Sequence, residues 1–186
     1  MGSREILSIE EAARILHEGG VVAYPTESCF GLGCDPAHRE AVDRILAIKG
    51  RDVAKGLILI GGAWEHLAPF MGDLPEQARA RLRAAWPGPV TFLIPPSARV
   101  PDWVRGSHPR VALRWTAHPQ AARLCRVYRG AVVSTSANRE GSAPLRTAEA
   151  VQAELGAEID GCMTGRVGMR ARPSVIVDAV TGERIR

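Results

Sequence analysis

Lysine is almost missing from this chain. Of its 24 basic residues, 22 are arginine, and the two lysines, Lys49 and Lys55, stand six residues apart on either side of Arg51. Lysine is a compact, strongly hydrated point charge, whereas arginine is a planar fork. Retaining both lysines at one place against that bias is either chance, since two residues must fall somewhere, or the mark of a site wanting a point charge, such as a phosphate. Long hydrophobic runs are missing too. No stretch of 18 apolar residues exists, which excludes a transmembrane helix. The opening MGSREILSIEEAARIL carries acids where a secretion signal has its apolar core, so the expected location is the cytoplasm. Cysteine is limited to Cys29, Cys34, Cys125 and Cys162, with no C-x-x-C pair and no histidine at finger spacing. That argues against a structural zinc site and makes them small core fillers. There is no G-x-x-x-x-G-K-[ST] loop, FGLG is too short for a dinucleotide fingerprint, and spacing assembles no serine–histidine–acid arrangement.

What is present describes an ordinary globular chain. Its 186 residues are 46% hydrophobic and 24% charged, enough for one core, so residues 1–186 are expected to form a single domain. The net charge of +4 suits an anionic ligand or nucleic acid, and a solvated arginine surface equally well.

Strands and helices alternate along the chain without repeats, which predicts one α/β domain with a mixed sheet. Ser8 and Glu11 make a capping box, and Ile9, Ala12, Ala13 and Leu16 recur at helical spacing until Gly19-Gly20. VVAYPT (21–26) reads as a buried strand, FGLGCDP as a glycine-containing turn, and REAVDRILAIK (39–49) as a second helix. GRDVAKG is then a loop leading into the strand LILI (57–60). Helices follow at 75–86, 119–128 and 147–155, and strands at 89–95, 110–115 and 131–138. SVIVDAV and ERIR are expected to form a terminal hairpin across Thr181-Gly182.

Three stretches put uncommon polar groups at the ends of apolar strands, where α/β proteins place ligands. They are YPTE, with Thr26 and Glu27; KGRDVAK; and STSAN, with Ser134, Ser136 and Asn138. Hydroxyls and backbone N–H groups converging at a strand end hold a phosphate or carboxylate without adding charge. The simpler alternatives are local turn bonding at Thr26 and a polar turn cap at Asn138. Arg110, Arg114 and Arg172, with Lys49, Arg51 and Lys55, have the makings of a cationic cleft for a triphosphate.

Together and in this order, AYPTE, FGLGCDP, K-x-R (Lys49, Arg51) before KGLIL, WPGPVTF, VALR before HP, and VSTSAN resemble the YrdC/TsaC family, the threonylcarbamoyl-AMP synthases. The resemblance runs from about residue 8 to the end. It implies a twisted, mostly mixed sheet flanked by helices around a concave, positively charged cleft. It further implies an enzyme that makes threonylcarbamoyl-adenylate and pyrophosphate from L-threonine, bicarbonate and ATP, with Mg2+ carried on the ATP. The product would pass to a tRNA threonylcarbamoyl transferase complex of the TsaB, TsaD and TsaE type. Carried over by motif, Lys49 and Arg51 are catalytic, and with Lys55 neutralise phosphate charge. Thr26 contacts threonine, Ser134, Ser136 and Asn138 hold nucleotide or threonine polar groups, Arg114 meets a carboxylate, and Ser174 approaches the nucleotide. No metal is held by the protein itself. Where many relatives read PLIVHI this chain reads GLILIG, so a histidine contact is absent at Ile60, and Ser174-Val175 keeps one hydroxyl of a Ser-Thr pair. The resemblance implies the short form of the family, expected to end at Arg186 without the additional domain of longer forms.

Two other readings compete. A non-catalytic module binding tRNA or double-stranded RNA would use the same basic face, but no aromatic platform is visible. A carbamoyltransferase of the hydrogenase-maturation type would need zinc-finger cysteine pairs and an acylphosphatase segment, and neither is here.

Overall fold

The computed structural model describes residues 6–170 and 173–186. In chain order the elements are β1 (Ile6–Leu7), α1 (Ile9–His17), β2 (Val22–Pro25), β3 (Phe30–Gly33), α2 (Arg39–Lys49), a 3-10 turn (Val53–Lys55) and β4 (Ile58–Gly61). After these come α3 (Trp64–Leu67), α4 (Glu76–Ala85), β5 (Val90–Ile94), α5 (Asp102–Arg105), β6 (Val111–Trp115) and α6 (Pro119–Tyr128). The last are β7 (Val132–Ser136), α7 (Ala148–Leu155), β8 (Gly161–Met163) and β9 (Val175–Asp178). Among the described residues the strands make one sheet in the order β1-β8-β2-β3-β7-β4-β6-β5-β9. It is mixed: β4 runs parallel to β6 and antiparallel to β7, and β5 runs antiparallel to β6 and parallel to β9.

Local chemistry sets the helix limits. Ser8 Oγ accepts from the Glu11 amide at 3.2 Å while Glu11 Oε2 accepts from the Ser8 amide at 2.7 Å, starting α1 as the capping box requires. α2 and α6 have the bounds expected from their periodicity, and α2 stops because Gly50 turns into the left-handed region at φ +63. Thr147 caps α7 by accepting from the Ala150 amide at 3.2 Å.

One expectation needs correcting, and two short strands went unread. FGLG is a strand, not a turn: Phe30 and Leu32 point into one core, and Gly33 lies where a Cβ would come within 2.6 Å of the Tyr24 ring. Its two glycines hid the strand, because a strand is normally recognised by the side chains it packs. β1 and β8 are too short to produce a period. The terminal hairpin forms as expected: Val177 bridges Arg184 in antiparallel sense, and the Asp178 amide donates to Glu183 O and the Ile185 amide to Ile176 O, both at 2.8 Å. Lys49 is the last residue of α2, as the helix read over 39–49 requires.

Alternating side chains divide the core between the two faces of the sheet. On one face α2, α4 and α7 pack against Ala23, Leu32, Leu59, Leu113 and Val133. On the other, Ala12, Ala13 and Leu16 of α1 meet Ala121, Leu124 and Tyr128 of α6 over Val22, Tyr24, Ile60 and Val132. Leu124 is fully buried there, so Leu124→Ala would cost about 2–5 kcal/mol. On that second face, towards β5 and β9, the sheet is left open, and the site lies there.

Candidate active site

The open part of the sheet carries a cavity of about 790 Å3. Its floor is one transverse row across five strands. Ser134 of β7 pairs with Ile58 of β4, Ile58 with Ala112 of β6, Ala112 with Leu93 of β5, and Leu93 with Asp178 of β9. All five residues line the cavity. β7 explains why an apolar strand turns polar. Val132, Ser134 and Ser136 share one face, and Val132 is covered by helices while the two serines border the cavity.

The walls are cationic. Arg51, Lys55, Arg105, Arg110, Arg114, Arg146 and Arg186 border the cavity, and Asp178 is the one acidic side chain among its lining residues. Asp178 is itself held, accepting from the Val180 and Thr181 amides at 2.8 and 2.9 Å and lying 3.4 Å from Arg110 Nε. Burial raises its pKa, but these amides and Arg110 outweigh it and leave the carboxyl below its ordinary value. A concave wall of one sign concentrates anions.

Of the residues singled out in the sequence, Thr26, Arg51, Lys55, Arg114, Ser134, Ser136 and Ser174 all border this cavity. Arg172 lies outside the described residues. Lys49 and Asn138 do not line the cavity; they sit behind it and hold the S-x-N turn. Lys49 is 5% exposed, and its Nζ donates to Ser136 O at 2.7 Å and to both the carbonyl and Oδ1 of Asn138 at 3.0 Å. Those bonds match the three donors of an ammonium. Burial and the neighbouring Arg51 push its pKa down to about 8. Asn138 Oδ1 also accepts from Ser136 Oγ at 2.6 Å, and its Nδ2 donates to Ser142 O at 2.6 Å and to Arg139 O at 3.1 Å. The turn-cap alternative for Asn138 is therefore what its contacts describe.

Arg51 follows Gly50 out of α2 and donates through Nη2 to Gly56 O at 3.0 Å, while its buried Nε has no hydrogen-bond partner. Lys55, beyond it, pairs with Glu140 at the surface. Arg114 Nη1 lies 3.5 Å from Glu27 Oε2, and Arg114 Nε is also buried without a partner. Two buried guanidinium N–H groups thus have bonding capacity to spare, which is costly unless a ligand uses it. Thr26 Oγ donates to Cys29 O at 2.7 Å, and Ser174 Oγ and Thr91 Oγ lie 2.9 Å apart.

Glu27, noted beside Thr26 but given no role, joins several elements. Its Oε1 accepts from Thr116 Oγ at 2.8 Å and the Ala117 amide at 3.1 Å, next to the start of α6. Burial would raise its pKa, but Arg114, Thr116 and the amides lower it further, so the carboxylate is the stable form. Sequence reasoning missed Cys29, Gly31, Arg105, Arg146 and Arg186. An exposed-looking arginine among 22 carries no signal, but a glycine within a strand does. Among the described residues no three His, Cys, Asp or Glu side chains gather as metal donors, and no helix is long and apolar enough to cross a membrane.

Among the described residues, a mixed sheet of nine strands with one half-open cationic face defines a recognisable class. The chain belongs to the Sua5/YciO/YrdC family, described as "Telomere recombination", whose model matches residues 14–186. Relatives named threonylcarbamoyl-AMP synthase are similar over nearly their full length. That of Nitrosococcus oceani is 49% identical, over 94% of this chain and 95% of its own. That of Thiobacillus denitrificans is 48% identical, over 92% and 90%. Among solved structures, P. abyssi Sua5 complexed with L-threonine is 31% identical with a TM-score of 0.86; the match covers 94% of this chain and 52% of that one. This chain thus spans about half of that larger protein.

Proposed function

We propose that the chain is a threonylcarbamoyl-AMP synthase, a nucleotidyltransferase that joins L-threonine, bicarbonate and ATP into threonylcarbamoyl-adenylate with release of pyrophosphate and water. The observation that carries this reading is the pair of buried, partly unpartnered guanidinium groups, Arg51 and Arg114, on the wall of a cavity with one already engaged carboxylate. Family membership and the names of the close relatives support it.

The chemistry asks little covalent work of the protein. The threonine amine takes up carbon dioxide as a carbamate; a carbamate oxygen attacks the α-phosphate, and pyrophosphate leaves. What the chain supplies is positioning and stabilisation of phosphoryl charge. Arg114, oriented by Glu27, is suited to the threonine carboxylate, with Thr26 and Ser134 beside it. Arg51, Lys55 and the arginines nearer β9 face the phosphates, and Ser174 the nucleotide. Lys49 acts from behind, keeping Ser136 and the following turn in place. Magnesium enters with the ATP substrate: Asp178 is engaged by Arg110 and two amides, so the wall offers no carboxylate cage. The product, used in the cytoplasm, would go to a tRNA threonylcarbamoyl transferase.

The test is pyrophosphate release by purified protein from ATP, with and without L-threonine and bicarbonate, and with L-serine as a control. Release requiring both co-substrates and favouring threonine supports the reading. Absence of release alongside salt-sensitive tRNA binding would overturn it in favour of the RNA-binding alternative.

A further inference from the structure

Gly31 is a glycine that the protein's own packing does not demand. It sits inside β3, paired with Tyr24 of β2 on one side and Ser136 of β7 on the other, and it borders the cavity. Glycine weakens a strand interior because it has no side chain to pack, and in such a place it commonly marks where a ligand or another backbone comes close. Gly33, two residues on and on the same face, is accounted for by packing, since a Cβ there would come within 2.6 Å of Tyr24 and 2.7 Å of Val133 O. Gly31 differs. Its φ is not in the left-handed region, and a Cβ would find Thr26 Cγ at 3.3 Å, Ser134 Oγ at 3.5 Å and Thr135 O at 3.5 Å. Those contacts are tight or ordinary, but none is a backbone collision.

We infer that Gly31 is a specificity-determining residue: the missing side chain leaves a notch in the cavity floor that receives the side chain of the amino-acid substrate. One edge of the notch is a methyl group, Thr26 Cγ, and the other a hydroxyl, Ser134 Oγ. A side chain carrying both a methyl and a hydroxyl on one carbon matches both edges. Serine reaches the hydroxyl edge and leaves the methyl edge empty; valine covers the methyl edge and brings no hydroxyl to Ser134 Oγ. The inference rests on the proposed threonine-dependent synthase and deepens it by stating how threonine is told from serine. Arg114 also borders the cavity and brings its guanidinium to the wall for a carboxylate, so one substrate is held through two functional groups.

The experiment measures KM for L-threonine, L-serine and ATP by pyrophosphate release, and the binding of both amino acids by calorimetry. It uses wild type, Gly31→Ala, Thr26→Ser and the double variant. In Gly31→Ala the added methyl fills the notch. The expected result is a rise in KM for threonine of roughly tenfold or more, a smaller rise for serine, and an unchanged KM for ATP. Thr26→Ser removes the methyl edge and is expected to narrow the threonine-to-serine ratio. The double variant relieves the 3.3 Å contact and gives a folded background for the alanine if crowding alone destabilises it. An unchanged ratio in both Thr26→Ser and the folded Gly31 variant overturns the inference while leaving the synthase intact. Absence of threonine-dependent release in wild type overturns the synthase reading, and the inference with it.

Discussion

Lys49 Nζ and Asn138 Oδ1 lie 3.0 Å apart, joining the end of α2 to the turn that follows β7. The two short motifs of the site, K-x-R and S-x-N, are therefore one assembly. The scarce lysine is kept where a point charge with three donors faces three oxygens, a geometry that a planar guanidinium does not reproduce.

Lys49→Ala should consequently lower stability as well as activity. It leaves the carbonyls of Ser136 and Asn138 without their buried donor, a loss of about 1–3 kcal/mol, and pyrophosphate release should fall with it. Lys49→Arg should not restore either. Thermal melting beside pyrophosphate release checks this, and an unchanged melting temperature in Lys49→Ala would contradict the tethering role.

Arg51→Ala should separate the two effects. Arg51 is half-buried and its bonds go to the carbonyls of its own loop, so melting should barely move. Turnover should fall by a factor on the order of 100, the usual loss when one charge-stabilising donor is removed. Loss of both in parallel would make Arg51 structural.

The titration of Lys49 is directly observable because the chain has only two lysines. With 13C-labelled lysine, one side chain should titrate near 8, and Lys49→Arg should delete that signal. The sign for folding follows from a folded value below the ordinary 10.5. Between about 8 and 10.5 the unfolded chain binds more protons, so this group's contribution to stability rises with pH across that window. Activity should move the other way above about 8, as the turn loses its ammonium.

Glu27→Gln should weaken threonine binding more than ATP binding. The amide can still accept from Thr116 and Ala117 but no longer balances Arg114, and breaking a buried pair costs about 3–5 kcal/mol. KM for threonine should rise more than KM for ATP, and Glu27→Asp should recover part of it. Because the folded carboxyl lies below its ordinary 4.5, its stabilisation is complete above that value and lost as pH falls through the folded one. Acid unfolding of Glu27→Gln should begin from a lower plateau and show a shallower fall.

Much of the element order was legible before the fold. Ser8 with Glu11, the apolar positions of 39–49 and 119–128, and the terminating Gly50 carry their own instructions, because capping and helical period are local properties. The motifs also located the cavity: seven of the nine expected site residues border it. The β3 strand was not legible, since Gly31 and Gly33 take their meaning from what lies opposite them.

By itself the sequence determined the five longer helices, the α/β class, the family resemblance and the stretches that gather at the site, because each depends on neighbours within a few residues; the one-turn α3 and α5 went unread. Only the tertiary structure decided the division of labour among them. It buried Lys49 and Asn138 behind the wall, placed Glu27 against Arg114, and opened the space over Gly31. Those outcomes depend on strand register and on which half of a sheet face α1 and α6 cover. Partners 87 to 90 residues apart in the chain, such as Lys49 with Asn138 or Glu27 with Thr116, meet only once that register is set.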